Sequence, residues 1–113
     1  MTHTVKAIAK FVRISPMKVR DTLRPIRGMN AEKAAQYLKF VPTKAARIVL
    51  KVLNSAIANA ENNDGLLASK LTIEEATANQ GPTIKRFMPA ARGSAHPIQK
   101  STTHISIILS SSN

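Results

Sequence analysis

Residues 43–62, TKAARIVLKVLNSAIANAEN, carry the clearest periodic pattern in the chain. Apolar residues recur there at every third or fourth position, which predicts a helix with one buried stripe. The stripe consists of Ala45, Val49, Val52, Leu53, Ala56, Ile57 and Ala60. Thr43 begins this helix, and the turn sequence Asn-Asn-Asp-Gly at 62–65 ends it. The rest of the chain must therefore supply a surface that covers the stripe.

Two more helices are predicted upstream from their end signals. A Ser–Pro pair at 15–16 starts a helix that runs to about Leu23, because proline fits the first helical position. Asn30 is a suitable cap for a second helix over about 31–40. Pro42 stops that helix, since proline lacks the backbone donor that a helix needs.

Three segments show the alternation of strands, the first of them only loosely. They are VKAIAKFVRI at 5–14, KLTIEEATAN at 70–79 and THISIIL at 103–109. Packing these strands against the long helix predicts a core of Val49, Val52, Leu53, Ala56, Ile57, Ile73, Ile105 and Ile107. The expected fold class is α+β, a small domain of three helices packed on a three-stranded antiparallel sheet.

The segment 80–102, QGPTIKRFMPAARGSAHPIQKST, contains no acidic residue and is too long for an ordinary turn. Strands are predicted on both sides of it, which indicates a long β-hairpin that protrudes from the domain. An extended arm of ten residues would project about 30 Å. We expect residues 1–113 to form a single domain whose extended hairpin spans about 80–103.

The charge of the chain is strongly one-sided. Seventeen Lys and Arg residues face six Asp and Glu residues, which gives a net charge of +11. Between Lys6 and Arg27 there are seven basic residues and only one acid, Asp21. Such an excess destabilises a compact chain, and a polyanion would offset it because each neutralised phosphate releases counterions. The alternative is that the cations only serve solubility, but a merely soluble domain would mix both signs.

The aromatic residues are few: Phe11, Tyr37, Phe40 and Phe87, with no Trp. Proteins that read single-stranded RNA stack its bases on several exposed aromatic rings. Most of these four fit core positions of the predicted helices and strands, and Phe87, which follows two basic residues, is the one candidate for stacking. The chain is therefore expected to recognise RNA by shape and backbone charge more than by base identity.

Catalytic and metal-binding patterns are not found in the sequence. Glu74 and Glu75 are neighbours in a predicted strand and should point to opposite faces, so they form no acid–base pair. His3, His96 and His104 lack the spacing of metal ligands, and His104 is better read as an RNA or surface contact. There is no glycine-rich phosphate loop. We expect no enzyme, no cofactor and no metal.

The composition also indicates the compartment in which the chain works. The chain has no cysteine, no start resembling a signal peptide and no apolar run long enough for a membrane span, so we expect a soluble, cytosolic protein.

Two other functions would also fit a basic chain of this size. One rival is a free-standing RNA chaperone, which would share the charge but need no hairpin of fixed length. Another is a membrane-surface polypeptide, since the third helix is basic and amphipathic, but it lacks interfacial aromatics.

Three stretches resemble the L twenty-two family of large-subunit ribosomal proteins. They are SPMKVRDTLRPIRG at 15–28, TKAARIVLKVLNSAIANAENNDG at 43–65 and QGPTIKRFMPAARGSAHPIQKSTTHISIIL at 80–109. The resemblance implies a small domain that contacts ribosomal RNA, with a hairpin threaded through the RNA to the wall of the nascent-peptide exit tunnel. It implies as partners large-subunit ribosomal RNA, neighbouring ribosomal proteins and the nascent polypeptide, in the cytoplasm. Neither a membrane nor a second copy of the chain is expected as a partner.

The resemblance also assigns positions within this sequence. Ile84, Lys85 and Arg86 match the family segment whose loss is associated with macrolide resistance, and Arg92 and Gly93 match the hairpin tip. The tunnel hairpin is then Ile84, Lys85, Arg86, Phe87, Met88, Pro89, Ala90, Ala91, Arg92, Gly93, Ser94 and Ala95. The chain departs from the family pattern where basic residues are common, and the tip is less cationic as a result. These departures are Ala90, Ser94, Pro97 and Ser101.

The residues expected to contact RNA combine the charge pattern with the first-helix motif of the resemblance, which Ser15, Lys18, Val19 and Arg20 match. They are Lys6, Lys10, Arg13, Ser15, Lys18, Arg20, Arg24, Arg27, Lys44, Arg47, Lys51, Lys85, Arg86, Lys100 and His104.

Overall fold

The computed structural model describes the backbone of residues 2–81, 84–89, 95–100 and 102–112, and the side chains of residues 4–81 and 102–111. Its helices are α1 (Pro16–Leu23), α2 (Ala31–Phe40) and α3 (Lys44–Asp64), with short 3-10 helices at Arg24–Ile26 and Ala68–Lys70. Its strands are β1 (Thr2–Val12), β2 (Leu71–Gln80), β3 (Ile84–Pro89), β4 (Ala95–Lys100) and β5 (Thr103–Ser112). No helix in this part of the chain has the length and apolar character that crossing a membrane requires.

The helix ends lie where the local signals predict them. The side chain of Asn30 accepts hydrogen bonds from the backbone N–H groups of Glu32 and Lys33, at 3.0 and 3.4 Å. Thr43 Oγ1 accepts from the N–H of Ala46 at 3.1 Å. Gly65 ends α3 with a left-handed φ of 65°, a conformation that glycine adopts without steric cost. Caps of this kind satisfy the backbone groups that a helix leaves unpaired at its ends.

The sheet has the order β1-β5-β2, and β5 pairs antiparallel with both neighbours. Val12 of β1 and Gln80 of β2 both pair with Thr103, so the end of β1, the end of β2 and the start of β5 lie side by side. Three helices with this three-stranded antiparallel sheet confirm the predicted α+β fold.

The core joins α3 to one face of the sheet, as predicted. Its fully or almost fully buried members include Val49, Val52, Leu53, Ala56, Ile73, Ile105 and Ile107. Ile57 is the exception, because it is only partly buried and packs against the margin of the core. It follows Ala56 directly, and one residue turns a helix by about 100°, so its side chain lies beside the buried stripe.

The second strand contains an irregularity that simple alternation misses. Ile73 pairs with Leu109 and Glu75 pairs with Ile108, so the register passes over Glu74 as it does at a β-bulge. Glu74 and Glu75 are both exposed, and burial resumes at Ala76. Simple alternation therefore does not describe the burial of this strand at the two glutamates.

The outer edge of β2 is covered by the chain between α1 and α2. The N–H of Gly28 donates to the carbonyl of Ile73 at 2.9 Å, and the N–H of Ile73 donates to the carbonyl of Met29 at 2.9 Å. Further along the strand, two arginine side chains donate hydrogen bonds to the same edge. Arg27 Nε donates to the carbonyl of Ala76 at 2.9 Å, and Arg20 Nε donates to that of Ala78 at 3.0 Å.

Strands β3 and β4 pair antiparallel from Ile84 with Lys100 to Pro89 with Ala95. Where the chain leaves the sheet and returns to it, the N–H of Gly81 donates to the carbonyl of Thr102 at 2.8 Å. Residues 82, 83, 90–94 and 101 lie outside the described residues. The predicted tip around Arg92, and the protrusion of the whole arm, therefore stay predictions.

Candidate nucleic-acid interface

Three helix ends and one strand end meet at the same end of the domain. The start of α1, the end of α2 and the start of α3 line one common cavity, and α1 begins four residues after β1 ends. Six exposed cations lie on these elements, and we call this group the basic end. It consists of Lys10, Arg13, Lys18, Lys39, Lys44 and Arg47. Asp21 is the only acid among the cavity-lining residues, and the other five acids lie on α2, α3 and β2 away from that cavity.

The shared cavity has a volume of about 560 Å³. Its lining combines three cations, three apolar residues and one aromatic ring. The cations are Arg13, Lys18 and Lys44, the apolar residues are Ile14, Val41 and Ala45, and the ring is Tyr37. The hydroxyl-bearing residues Ser15, Thr22 and Thr43 complete the lining with Asp21.

Ser15 stands at the N-cap of α1 with an extended backbone, but its side chain makes no capping hydrogen bond within the described part of the chain. The first N–H groups of any helix lack intrahelical partners and carry partial positive charge. At the start of α1 this adds to the charge of Lys18, and Thr43 in contrast uses its hydroxyl to cap α3. The cavity therefore presents donors and positive charge on several sides.

The three aromatic side chains that the structure describes lie at the surface, which corrects the expectation that most of the aromatic residues fill the core. Phe11 is 58%, Tyr37 41% and Phe40 85% exposed. Phe11 follows Lys10 at the end of β1, and the other two lie on the last turns of α2. Exposed rings among cations are typical of surfaces that stack nucleic-acid bases. The core consists of aliphatic residues instead, namely alanine, valine, leucine and isoleucine.

His104 has a structural role that the sequence did not reveal. Its Nδ1 accepts a hydrogen bond of 3.1 Å from the backbone N–H of Phe11. The two rings meet edge to face, with centroids 4.9 Å apart. Phe11 has a left-handed φ of 58°, and the register between β1 and β5 shifts between Ala9 and Val12. His104 thus holds an irregular strand end, while its half-buried ring remains at the surface of the sheet.

The remaining predicted RNA contacts are spread more widely. Arg20 and Arg27 each place Nε on a β2 carbonyl, which leaves their terminal nitrogens as the donors for an outside partner. Lys6 lies in the middle of β1, Lys51 two turns into α3, and Arg24 on the 3-10 helix after α1, and all three are exposed. Lys85 and Arg86 belong to β3 and Lys100 to β4, and their side chains lie outside the described residues.

Among the described residues, no group of three His or acidic side chains is arranged to hold a metal ion. Every buried polar side-chain atom of that part of the chain has a hydrogen-bond partner. The cavity shared by the three helices thus brings together three cations and the exposed ring of Tyr37.

A known protein family matches almost the whole chain. The model of the family described as Ribosomal protein L22p/L17e matches residues 7–110 of the chain. The match takes in β1, all three helices, the basic end and β2 to β5, apart from a few residues at each terminus.

Proposed function

The chain belongs to the ribosomal protein L22p/L17e family of structural large-subunit proteins, and from this we propose that its basic end binds and organises large-subunit ribosomal RNA during assembly. The family is a structural one and not a family of enzymes. The observation that supports the RNA contact is the presence of six exposed cations on the elements whose ends meet around the shared cavity, with Asp21 as the one acid in its lining. The proposed place of action is the ribosome in the cytoplasm.

The arrangement suits a clamp between separate RNA segments. The six cations lie on β1, the β1–α1 connection and all three helices, so they belong to different elements of one packed core. Each cation that neutralises a phosphate releases counterions, which supplies affinity without base recognition. Because the core holds these elements in fixed relation, RNA segments bound to different elements are held in fixed relation too.

The second part of the proposal concerns the arm over about 80–103, which would extend from the single domain into the RNA. The pairing of β3 with β4 and the absence of acids between Ala76 and Asn113 support an arm that lies among phosphates. Its small tip residues suit close approach to RNA and a narrow passage. They are Ala90, Ala91, Gly93, Ser94 and Ala95. On this proposal the tip lines the nascent-peptide exit tunnel, with the nascent polypeptide and neighbouring ribosomal proteins as further partners of a monomeric chain.

The direct test is binding of the purified full-length chain to large-subunit ribosomal RNA, with small-subunit ribosomal RNA of the same source as the competitor. We expect the large-subunit RNA to be bound at least tenfold more tightly at about 0.15 M salt, because specific sites are bound well above the nonspecific level. Equal binding of both RNAs would contradict the proposal. Sedimentation in a sucrose gradient tests the rival function. We expect this chain to sediment stoichiometrically with large subunits, whereas a free-standing RNA chaperone would not.

The arm has its own test. Replacing Lys85 and Arg86 together by alanine should weaken binding to large-subunit RNA more than replacing Lys70, an exposed cation next to β2. Each lost phosphate contact lowers the affinity and the salt dependence. An equal loss of affinity in both variants would show that the position of the charge does not matter, and the proposed role of the arm would be wrong.

A further inference from the structure

The cavity at the basic end has a chemical composition that phosphate binding alone does not explain. Phosphates need cations and donors, and Arg13, Lys18 and Lys44 on its rim would suffice for them. The lining also contains Ile14, Val41 and Ala45. An apolar lining is of no use to a phosphate group, but it suits the flat faces of a nucleobase and a ribose.

Tyr37 makes the distinction sharper. Its ring lines the cavity and is 41% exposed, so part of one surface is open to a planar partner. Stacking of bases on aromatic rings is the usual way in which proteins hold unpaired nucleotides. Phe40 is more exposed, at 85%, but it is not part of the cavity lining. Tyr37 is therefore the residue to test, and Phe40, on the same helix, serves as the control.

The size of the cavity selects among RNA shapes. At about 560 Å³ this open cavity is as large as pockets that hold a small organic ligand, roughly 300–1,000 Å³. A base pair within a helix cannot enter it, because its bases are stacked and its phosphates lie outside. A single nucleotide from a loop or bulge can enter, since its base is free to turn out of the stack.

We propose that the cavity between α1, α2 and α3 receives one unpaired nucleotide of the bound RNA, with its base against the Tyr37 ring and its phosphates on the cationic rim. The inference rests on the proposed RNA-binding function and deepens it, because it adds a base contact to a surface otherwise read as a phosphate clamp. Lys18 and Lys44 meet the phosphates on the two sides of the nucleotide. Asp21 provides an acceptor for a ribose hydroxyl or a base amino group, a role that a pure anion site would not need.

The chain carries its own reporter for this test. Tyr37 is the only tyrosine and there is no tryptophan. When the full-length protein is excited at wavelengths that tyrosine absorbs, its intrinsic fluorescence therefore comes from this ring. We would titrate the protein with single-stranded hexa-adenylate and with a sugar-phosphate oligomer of the same length that lacks bases. A third titration would use an RNA duplex, and free N-acetyl-tyrosinamide would control for absorption by the RNA. The expected result is quenching by hexa-adenylate that clearly exceeds quenching by the other two.

Affinity measurements on variants complete the experiment. Tyr37→Ala should lower the affinity for hexa-adenylate by about fivefold or more, the range found for loss of one stacking contact. Tyr37→Phe keeps a ring and should stay within about twofold of the original protein. Phe40→Ala should leave the quenching of Tyr37 intact, because Phe40 lies outside the cavity lining. Circular dichroism of each variant would verify that it is folded.

The outcomes separate this inference from the proposed function. Equal quenching by hexa-adenylate and the base-free oligomer, or none by either, would overturn the nucleotide site even if large-subunit RNA is still preferred over small-subunit RNA. An unchanged hexa-adenylate affinity in Tyr37→Ala would overturn it as well. Loss of the preference for large-subunit RNA in the original protein would instead count against the proposed function, whatever the fluorescence shows.

Discussion

The backbone N–H of Phe11 donates to Nδ1 of His104, and this contact joins two residues that are 93 positions apart in the chain. Phe11 adopts a left-handed backbone conformation, which costs a non-glycine residue about 1–2 kcal/mol. The hydrogen bond and the edge-to-face ring contact offset that cost. They fix the end of β1 just before the chain turns into α1 and the basic end.

We predict that His104→Ala lowers the free energy of unfolding by about 1–2 kcal/mol, since it removes one hydrogen bond and one aromatic contact. Urea unfolding followed by circular dichroism would measure the change. His104→Gln retains an acceptor and should lose less. If His104→Ala changed the stability by less than about 0.5 kcal/mol, the contact would not hold the strand end.

The arginines on the edge of β2 lead to a second prediction. Arg20→Ala combined with Arg27→Ala should lower the stability by about 1–3 kcal/mol, because two hydrogen bonds to β2 carbonyls are lost. The uncovered edge should also favour pairing between molecules, so that self-association rises with concentration in analytical ultracentrifugation.

The matched control for that pair is Arg24→Ala. Arg24 lies between the two in the sequence, is exposed, and makes no side-chain hydrogen bond to the described part of the protein. Its replacement should alter the stability by no more than about 0.5 kcal/mol. A similar loss from Arg24→Ala would show that general charge, and not the covered strand edge, determines the effect.

A third prediction concerns salt. With about six phosphate contacts, affinity for large-subunit RNA should fall about a thousandfold between roughly 50 and 200 mM salt. Lys44→Ala with Arg47→Ala should reduce the slope of log affinity against log salt by about two, one for each lost contact. Fluorescence anisotropy at several salt concentrations would measure both quantities.

Two cations away from the basic end serve as the comparison for the salt slope. Lys33 and Lys70 are exposed, on the first turn of α2 and just before β2. Replacing both by alanine removes the same charge and should leave the slope almost unchanged. Identical slopes for the two double variants would mean that the basic end is not where RNA binds.

A fourth prediction concerns Gly81, at the point where the chain leaves the sheet. A Cβ at this position would lie 2.6 Å from Thr102 Oγ1, and 3.1 and 3.2 Å from two atoms of the His104 ring. Thr102 is fully buried, so it has little freedom to move. Gly81→Ala should therefore lower the stability by about 1–3 kcal/mol through overpacking, measured by thermal unfolding.

Gly65→Ala provides a contrast to that variant. Gly65 has a left-handed φ of 65° and no atom near the site of an added Cβ, so alanine there costs about 1 kcal/mol through the backbone alone. Only Gly81→Ala should also reduce incorporation into large subunits, because it disturbs the two strands that carry the arm. Normal incorporation of Gly81→Ala would show that the spacing at this point is unimportant.

The helix ends were predictable from sequence because their signals are local. Asn30 and Thr43 satisfy neighbouring N–H groups, and Gly65 supplies a backbone conformation, all within a few residues. The buried stripe of α3 was predictable for the same reason, since a helix repeats its faces regularly. Ile57 marks the limit, because the exact width of a buried face depends on what packs against it.

The features that the sequence did not predict depend on distant partners. Whether Tyr37 and Phe40 are covered depends on the neighbours of α2, which no local pattern reveals. The bulge at Glu74 appears only when β2 is matched to β5. The hydrogen bonds from Arg20 and Arg27 to β2 carbonyls were not predictable, because they form only when β2 packs beside these side chains.

The chain leaves the sheet at Gly81 and returns at Thr102, and the returning strand β5 is flanked by a partner on each side. Tension applied to β5 along its own axis would load its hydrogen bonds to β1 and β2 in shear, so both ladders would have to yield together. On the proposed function, the central position of β5 would anchor the arm in the domain.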